Sequence, residues 1–190
     1  MATTLLLIDV QRNMLEPPGR VPCAARLLTV LDGLLERARA AGTAVVHVRH
    51  NGGPGEPDFP GTPGWELYRA PVLGEAIVDK LEADAFAGTD LARLIPAGSA
   101  VVTAGLASDF WVRATVLSGL RQGYAMRLVR GGHGAYDGEG RSGGQIEREI
   151  ERELAEAGAQ IVVPGLPLFA AERDGTRPAP GPGTVGSRVV

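Results

Sequence analysis

Six short runs of aliphatic and β-branched residues, separated by longer amphipathic stretches, restrict the folds open to this chain more than any other feature. The runs fall near residues 4–9, 43–49, 75–79, 99–104, 125–129 and 160–163, and helical periodicity fits about 23–41, 89–95, 109–122 and 142–157. Parallel strands need a crossover between them and bury both faces, so the alternation predicts helices on both sides of one sheet. The expected fold is an open, doubly wound α/β sheet of about six parallel strands. Leu27, Leu28, Leu31, Leu34, Leu35 and Ala38 form the apolar stripe of the first long helix. Thr89 or Asp90 is placed to cap the second, and Ser108 or Asp109 the third.

With 190 residues the chain has enough length for one three-layer domain, expected over 1–170. Residues 171–190, with Arg177-Pro-Ala-Pro-Gly-Pro-Gly, cannot contribute to a core and predict a flexible tail. A net charge of -3 and the lack of a basic stripe argue against a nucleic-acid partner. Apolar runs such as Ala100 to Leu106 are too short to span a bilayer, so no membrane partner is expected. The first residues lack a charged n-region and reach an acid at Asp9, which predicts a cytoplasmic protein. A single cysteine, Cys23, excludes an internal disulfide and reads as a small buried hydrophobe. The Gly/Pro-rich stretch Asn51 to Gly74 carries Phe59, Trp65 and Tyr68, which favours a lid or a subunit contact, and with it a homo-oligomer.

Ligands of parallel α/β sheets bind beyond the carboxyl ends of the strands, near the switch in strand order. Asp9 ends the first run, Lys80 the third and Gly105 the fourth, so the fold would aim all three at one crevice. An Asp9–Lys80 ion pair there either poises one group for proton transfer or simply pins strand ends. His47 and His50 stand three apart on a strand and point to opposite faces; with three histidines in the whole chain, no metal site is expected. Gly131-Gly132-x-Gly134 and Gly138-x-Gly140 lack the Lys-Ser/Thr or ribose-binding acid of nucleotide loops. They read as flexible connections, and no cofactor is expected.

A set of pieces in order carries a family resemblance: Leu6-Leu7-Ile8-Asp9-Val10-Gln11, Val46-His47-Val48-Arg49-His50, Pro63-Gly64-Trp65-Glu66-Leu67, Val78-Asp79-Lys80 and Asp84-Ala85-Phe86. Gly105 through Thr115, Gly123-Tyr124 and His133-Gly134-Ala135-Tyr136-Asp137 continue it. Together, over roughly residues 3–165, the chain resembles the isochorismatase-like (cysteine hydrolase) superfamily. The resemblance implies a catalytic set of Asp, Lys and Cys, which maps onto Asp9, Lys80 and Trp111. A cysteine early in a helix would be a low-pKa thiolate; an indole cannot attack a substrate. The resemblance further implies a cis peptide at Leu106-Ala107 and an oxyanion hole from the amides of Ala107 and Trp111. It places Gln11, His50, Trp65, Phe86 and Leu106 around a small-molecule substrate. The Asp-x-His element of the metal-binding nicotinamidase branch is absent.

These readings lead to a divergent hydrolase acting on a small planar or carboxylated metabolite, with Asp9 and Lys80 in acid–base roles and water as nucleophile. Members of the resembled family that cleave a vinyl ether also lack the cysteine, but carry a small residue instead. The alternatives are an inactive member that binds a ligand or partner, and an isomerase or lyase using the same pair. Trp111 is either a stacking wall for a planar substrate or a plug in the vacated thiol pocket.

Overall fold

A computed structural model describes residues 2–169; the tail predicted at 171–190 lies outside the described residues. The six expected strands are β1 (Thr3–Ile8), β2 (Ala44–His50), β3 (Ala76–Lys80), β4 (Ala100–Leu106), β5 (Ala125–Gly134) and β6 (Gln160–Val162). All pair in parallel in the order β3-β2-β1-β4-β5-β6, an open sheet whose switch point falls between β1 and β4. The helices are α1 (Arg12–Leu15), α2 (Ala24–Ala40), α3 (Leu91–Leu94), α4 (Arg113–Arg121) and α5 (Gly143–Glu156).

Two apolar clusters flank the sheet. One face is covered by α2, whose Leu27, Leu31, Leu34, Leu35 and Ala38 are buried against Leu5, Leu7, Val102 and Ala104. The other gathers Leu6, Ile8, Val101 and Leu128 of the strands with Val116 of α4 and Ile146, Ile150 and Leu154 of α5. The i, i+4, i+8 spacing of those α5 residues is the inward face of an amphipathic helix. Ser142 and Gln145 close a capping box at its start. At α3 Asp90 holds the cap position without a side-chain bond, and the Leu91 amide donates to the Thr89 hydroxyl at 3.2 Å.

Two local expectations are corrected. The stretch from Gly131 to Gly134 is not a flexible connection but the end of β5, paired with Gly105 and Leu106 after a register shift. Glycine serves close packing there: a Cβ on Gly134 would stand 2.3 Å from Cys23 Sγ. The helix after β4 opens with a π-helical turn, Ser108–Val112, and neither Ser108 nor Asp109 caps it; Ala107 holds the cap position without a side-chain bond. The Ser108 hydroxyl turns inward to His133 Nδ1 at 2.8 Å instead.

Candidate active site

The carboxyl ends of β1, β3 and β4 deliver the three residues the sequence marked. Asp9 follows β1 at φ 48°, a left-handed conformation that Asp tolerates better than most residues, with its amide bonded to Val48 O at 3.0 Å. Lys80 ends β3, in register with His50 of β2. Its Nζ lies 2.8 Å from Asp9 Oδ2, and the two side chains are 0% and 1% exposed. The approach is off the direction of an aligned hydrogen bond. Both Asp9 oxygens and the ammonium therefore keep unused bonding capacity among the described residues. Burial drives the Asp9 carboxyl upward, Lys80 pulls it back, and the balance is about 7. Burial likewise holds the Lys80 ammonium below its ordinary value, against the pull of Asp9.

Trp111 sits over this pair. Its ring centroid is 5.3 Å from Lys80 Nζ, within cation–π range. His50 lies against it at 5.5 Å and Phe110 meets it edge-on at 4.9 Å. Burial and the charge of Lys80 lower the His50 pKa, and its Nδ1 has no hydrogen-bond partner among the described residues. The Leu106–Ala107 peptide is cis, Ala107 holds the cap position of the π-helical turn, and Trp111 lies within that turn. A cavity of about 450 Å³ opens beside them, with Ala107, Asp109, Phe110, Trp111, Tyr136 and Asp137 in its wall. Trp111 thus touches both the ion pair and the cavity, whereas Asp9 and Lys80 do not line the cavity.

The other residues expected around the substrate have partners within the chain. Gln11 is buried and spends its amide on main chain: it donates to His50 O at 3.0 Å and Trp65 O at 3.1 Å and accepts from the His50 amide at 2.8 Å. It is a clamp between the ends of β1 and β2 and the 51–74 segment. Trp65 lies under the Arg49 guanidinium at 3.4 Å and donates its indole N–H to Asn51 at 2.7 Å. Phe86 stacks on Tyr124 at 5.5 Å against the apolar cluster, a packing role that its aromatic surface favours. Leu106 is fully buried in the core. Sequence reasoning missed Tyr136 and Asp137 as cavity residues; their place next to His133, itself buried at the end of β5, was the available signal. Among the described residues no group of three or more His, Cys, Asp or Glu converges as a metal-ligand set, and no helix is long and apolar enough to cross a membrane.

Sheet order, crevice position and the paired Asp and Lys define a doubly wound α/β protein with its polar centre at the topological switch. Residues 3–148 match the isochorismatase domain, and the chain belongs to that family. Two streptothricin hydrolases of Streptomyces noursei are 42% and 41% identical over 137 residues, 70% of this chain. Those residues make up 50% and 54% of the two proteins, so the chain spans about half the length of these curated relatives. Among solved structures, a putative isochorismatase hydrolase from Oleispira antarctica superposes with a TM-score of 0.80 at 25% identity, covering 86% of this chain and 94% of that one.

Proposed function

We propose that this chain is a thiol-free hydrolase of the isochorismatase family, with Trp111 in the position of the nucleophilic cysteine. The observation that carries the reading is the Asp9–Lys80 pair: a carboxyl brought to about 7 by burial can both take and give a proton near neutral pH. Likeness to proteins named streptothricin hydrolase supports hydrolysis as the reaction class. In the proposed step a water oxygen attacks the substrate carbonyl carbon while Asp9 accepts a water proton. The amides of Ala107 and Trp111 stabilise the oxyanion, the bond to the leaving group breaks, and the proton passes from Asp9 to that group. Lys80 holds Asp9 in place. Three carboxylates, Asp109, Asp137 and Glu139, face a single guanidinium, Arg141, around the cavity. That balance favours a planar neutral or cationic substrate over a carboxylated one.

A second reading rests on the same indole. Because Trp111 lines the cavity and Asp9 and Lys80 do not, a fixed ring would leave a binding protein with a sealed acid–base pair. Turnover and binding of a panel of small amides by Asp9→Asn separate the two. The hydrolase reading expects turnover to fall by roughly 10²–10⁴-fold with binding little changed. Wild-type binding without turnover, or turnover indifferent to Asp9→Asn, overturns it.

A further inference from the structure

Away from that site, a groove of about 690 Å³ runs between α2, the end of β5 and the outer face of α5. Four arginines line it, Arg26, Arg130, Arg148 and Arg152, against two acids, Glu147 and Glu151. Each carboxylate is already claimed. Glu147 takes both its bonds from Arg26 Nη2, at 2.8 and 2.7 Å. Glu151 accepts from Arg130 at 2.9 Å and lies 3.5 Å from Nε2 of His133, a fully buried ring nitrogen with no hydrogen-bond partner among the described residues. His133 and Arg130 together hold the Glu151 carboxyl below the usual carboxylate range, so it is an anion already engaged by Arg130. The remaining pair, Arg148 and Arg152, forms no ion pair among the described residues.

Arg148 and Arg152 are exposed and stand four residues apart on one helix face, where like charges repel. Two of the arginines pack over glycine backbone. Arg148 Nη1 would lie 3.7 Å from a Cβ on Gly144 and Arg26 Nη1 3.2 Å from one on Gly131, so in both places the cation lies close over bare backbone.

We propose that this groove binds a small polyanion, a metabolite carrying phosphoryl groups or several carboxylates, held by Arg148 and Arg152 with Arg26 and Arg130 behind them. Planar forks matched to two oxygens at a time suit such a ligand. The groove shares no lining residue with the cavity beside Trp111, so its occupant is not the substrate of the proposed hydrolysis.

Calorimetric titration of the full chain at low ionic strength with inorganic pyrophosphate and, separately, with citrate tests this. Saturable binding of at least one probe is expected, weakened at least about 10-fold in Arg148→Gln/Arg152→Gln and unchanged in Trp111→Phe. Binding of pyrophosphate alone identifies a phosphoryl ligand and of citrate alone a polycarboxylate. Both variant residues are exposed, and circular dichroism of the double variant checks that it folds. Absence of binding by both probes overturns the proposal, as does equal affinity in the double variant. Neither result bears on turnover at Asp9.

Discussion

Lys80 Nζ and Asp9 Oδ2 stand 2.8 Å apart, two strands away from each other in the sheet, with neither side chain more than 1% exposed. Such a pair is weak evidence for stability, since desolvation offsets most of the attraction, yet removing one member leaves a buried charge alone. Lys80→Met should therefore cost about 3–5 kcal/mol in urea unfolding, and Asp9→Asn/Lys80→Met together should recover part of that loss. Additive costs in the double variant would show that the two groups do not act as a pair.

The same pair sets a pH dependence. Asp9 is raised from 3.8 to about 7 on folding, so between those values the folded state keeps a proton that the unfolded chain has released. Its contribution to stability is full below about pH 4 and is lost as pH rises through about 7. Asp9→Asn removes this titration. The stability difference between wild type and variant should thus drift against the wild type across that window, by at most about 1.4 kcal/mol per pH unit. Parallel profiles from pH 4 to 8 would place the Asp9 carboxyl back in the ordinary range.

Glu75 behaves in the opposite sense. Burial raises its pKa, but Arg39, the Val72 amide and His47 together outweigh this and hold the carboxyl at about 2. The contacts are 2.7 Å to Arg39 Nε, 3.0 Å to the Val72 amide and 2.9 Å to His47 Nε2. The stabilisation is present above about 4.5 and lost as pH falls through about 2. Glu75→Gln should cost about 1–3 kcal/mol at pH 7 and flatten the acid limb of the unfolding profile. An unchanged acid limb would assign it to other carboxylates.

Gly105 makes the last pairing of β4 with β1, opposite Ile8. At φ 135°, a Cβ there would lie 2.0 Å from Ile8 O. Backbone cannot yield as a side chain does, so Gly105→Ala should destabilise by about 2–5 kcal/mol and disturb the ends of both strands. Wild-type thermal stability in this variant would show that the β1–β4 switch tolerates separation.

Much of this architecture was legible in the sequence. Val45-Val46, Val101-Val102 and Leu128-Val129 are unambiguous buried strand, and the strand starts lie within a residue or so of expectation because periodicity and flanking glycines agree. The placement of Asp9 and Lys80 followed from strand ends together with the family resemblance. What the sequence does not record is contact between distant segments. Gly131 to Gly134 looked like a loop because packing against Cys23, a long-range contact, dictates glycine there. Gln11, Trp65 and Phe86 have partners 14 to 54 residues away in sequence, and no pattern along the chain records those partners. Ser108 is similar, since its choice of His133 over the helix amides depends on where β5 ends.

Trp111→Cys tests whether this position still has the electrostatics of a nucleophile's. The wild-type chain has one thiol, Cys23, which burial and Glu147 push up to about 11, so iodoacetamide should label it slowly at pH 7. A thiol introduced at position 111 would lie early in a helical run and beside Lys80, whose ammonium is 5.3 Å from the present ring centroid. Both features favour the thiolate. In a Cys23→Ser background, Trp111→Cys should be alkylated at least about 100-fold faster at pH 7 than Cys23 in the wild type. Losing the half-buried indole should cost about 2–4 kcal/mol, measured alongside to confirm a folded variant. Labelling of a folded Trp111→Cys no faster than that of Cys23 would mean that Lys80 and the helix start do not poise this position, and that Trp111 does not stand where the family's cysteine acts.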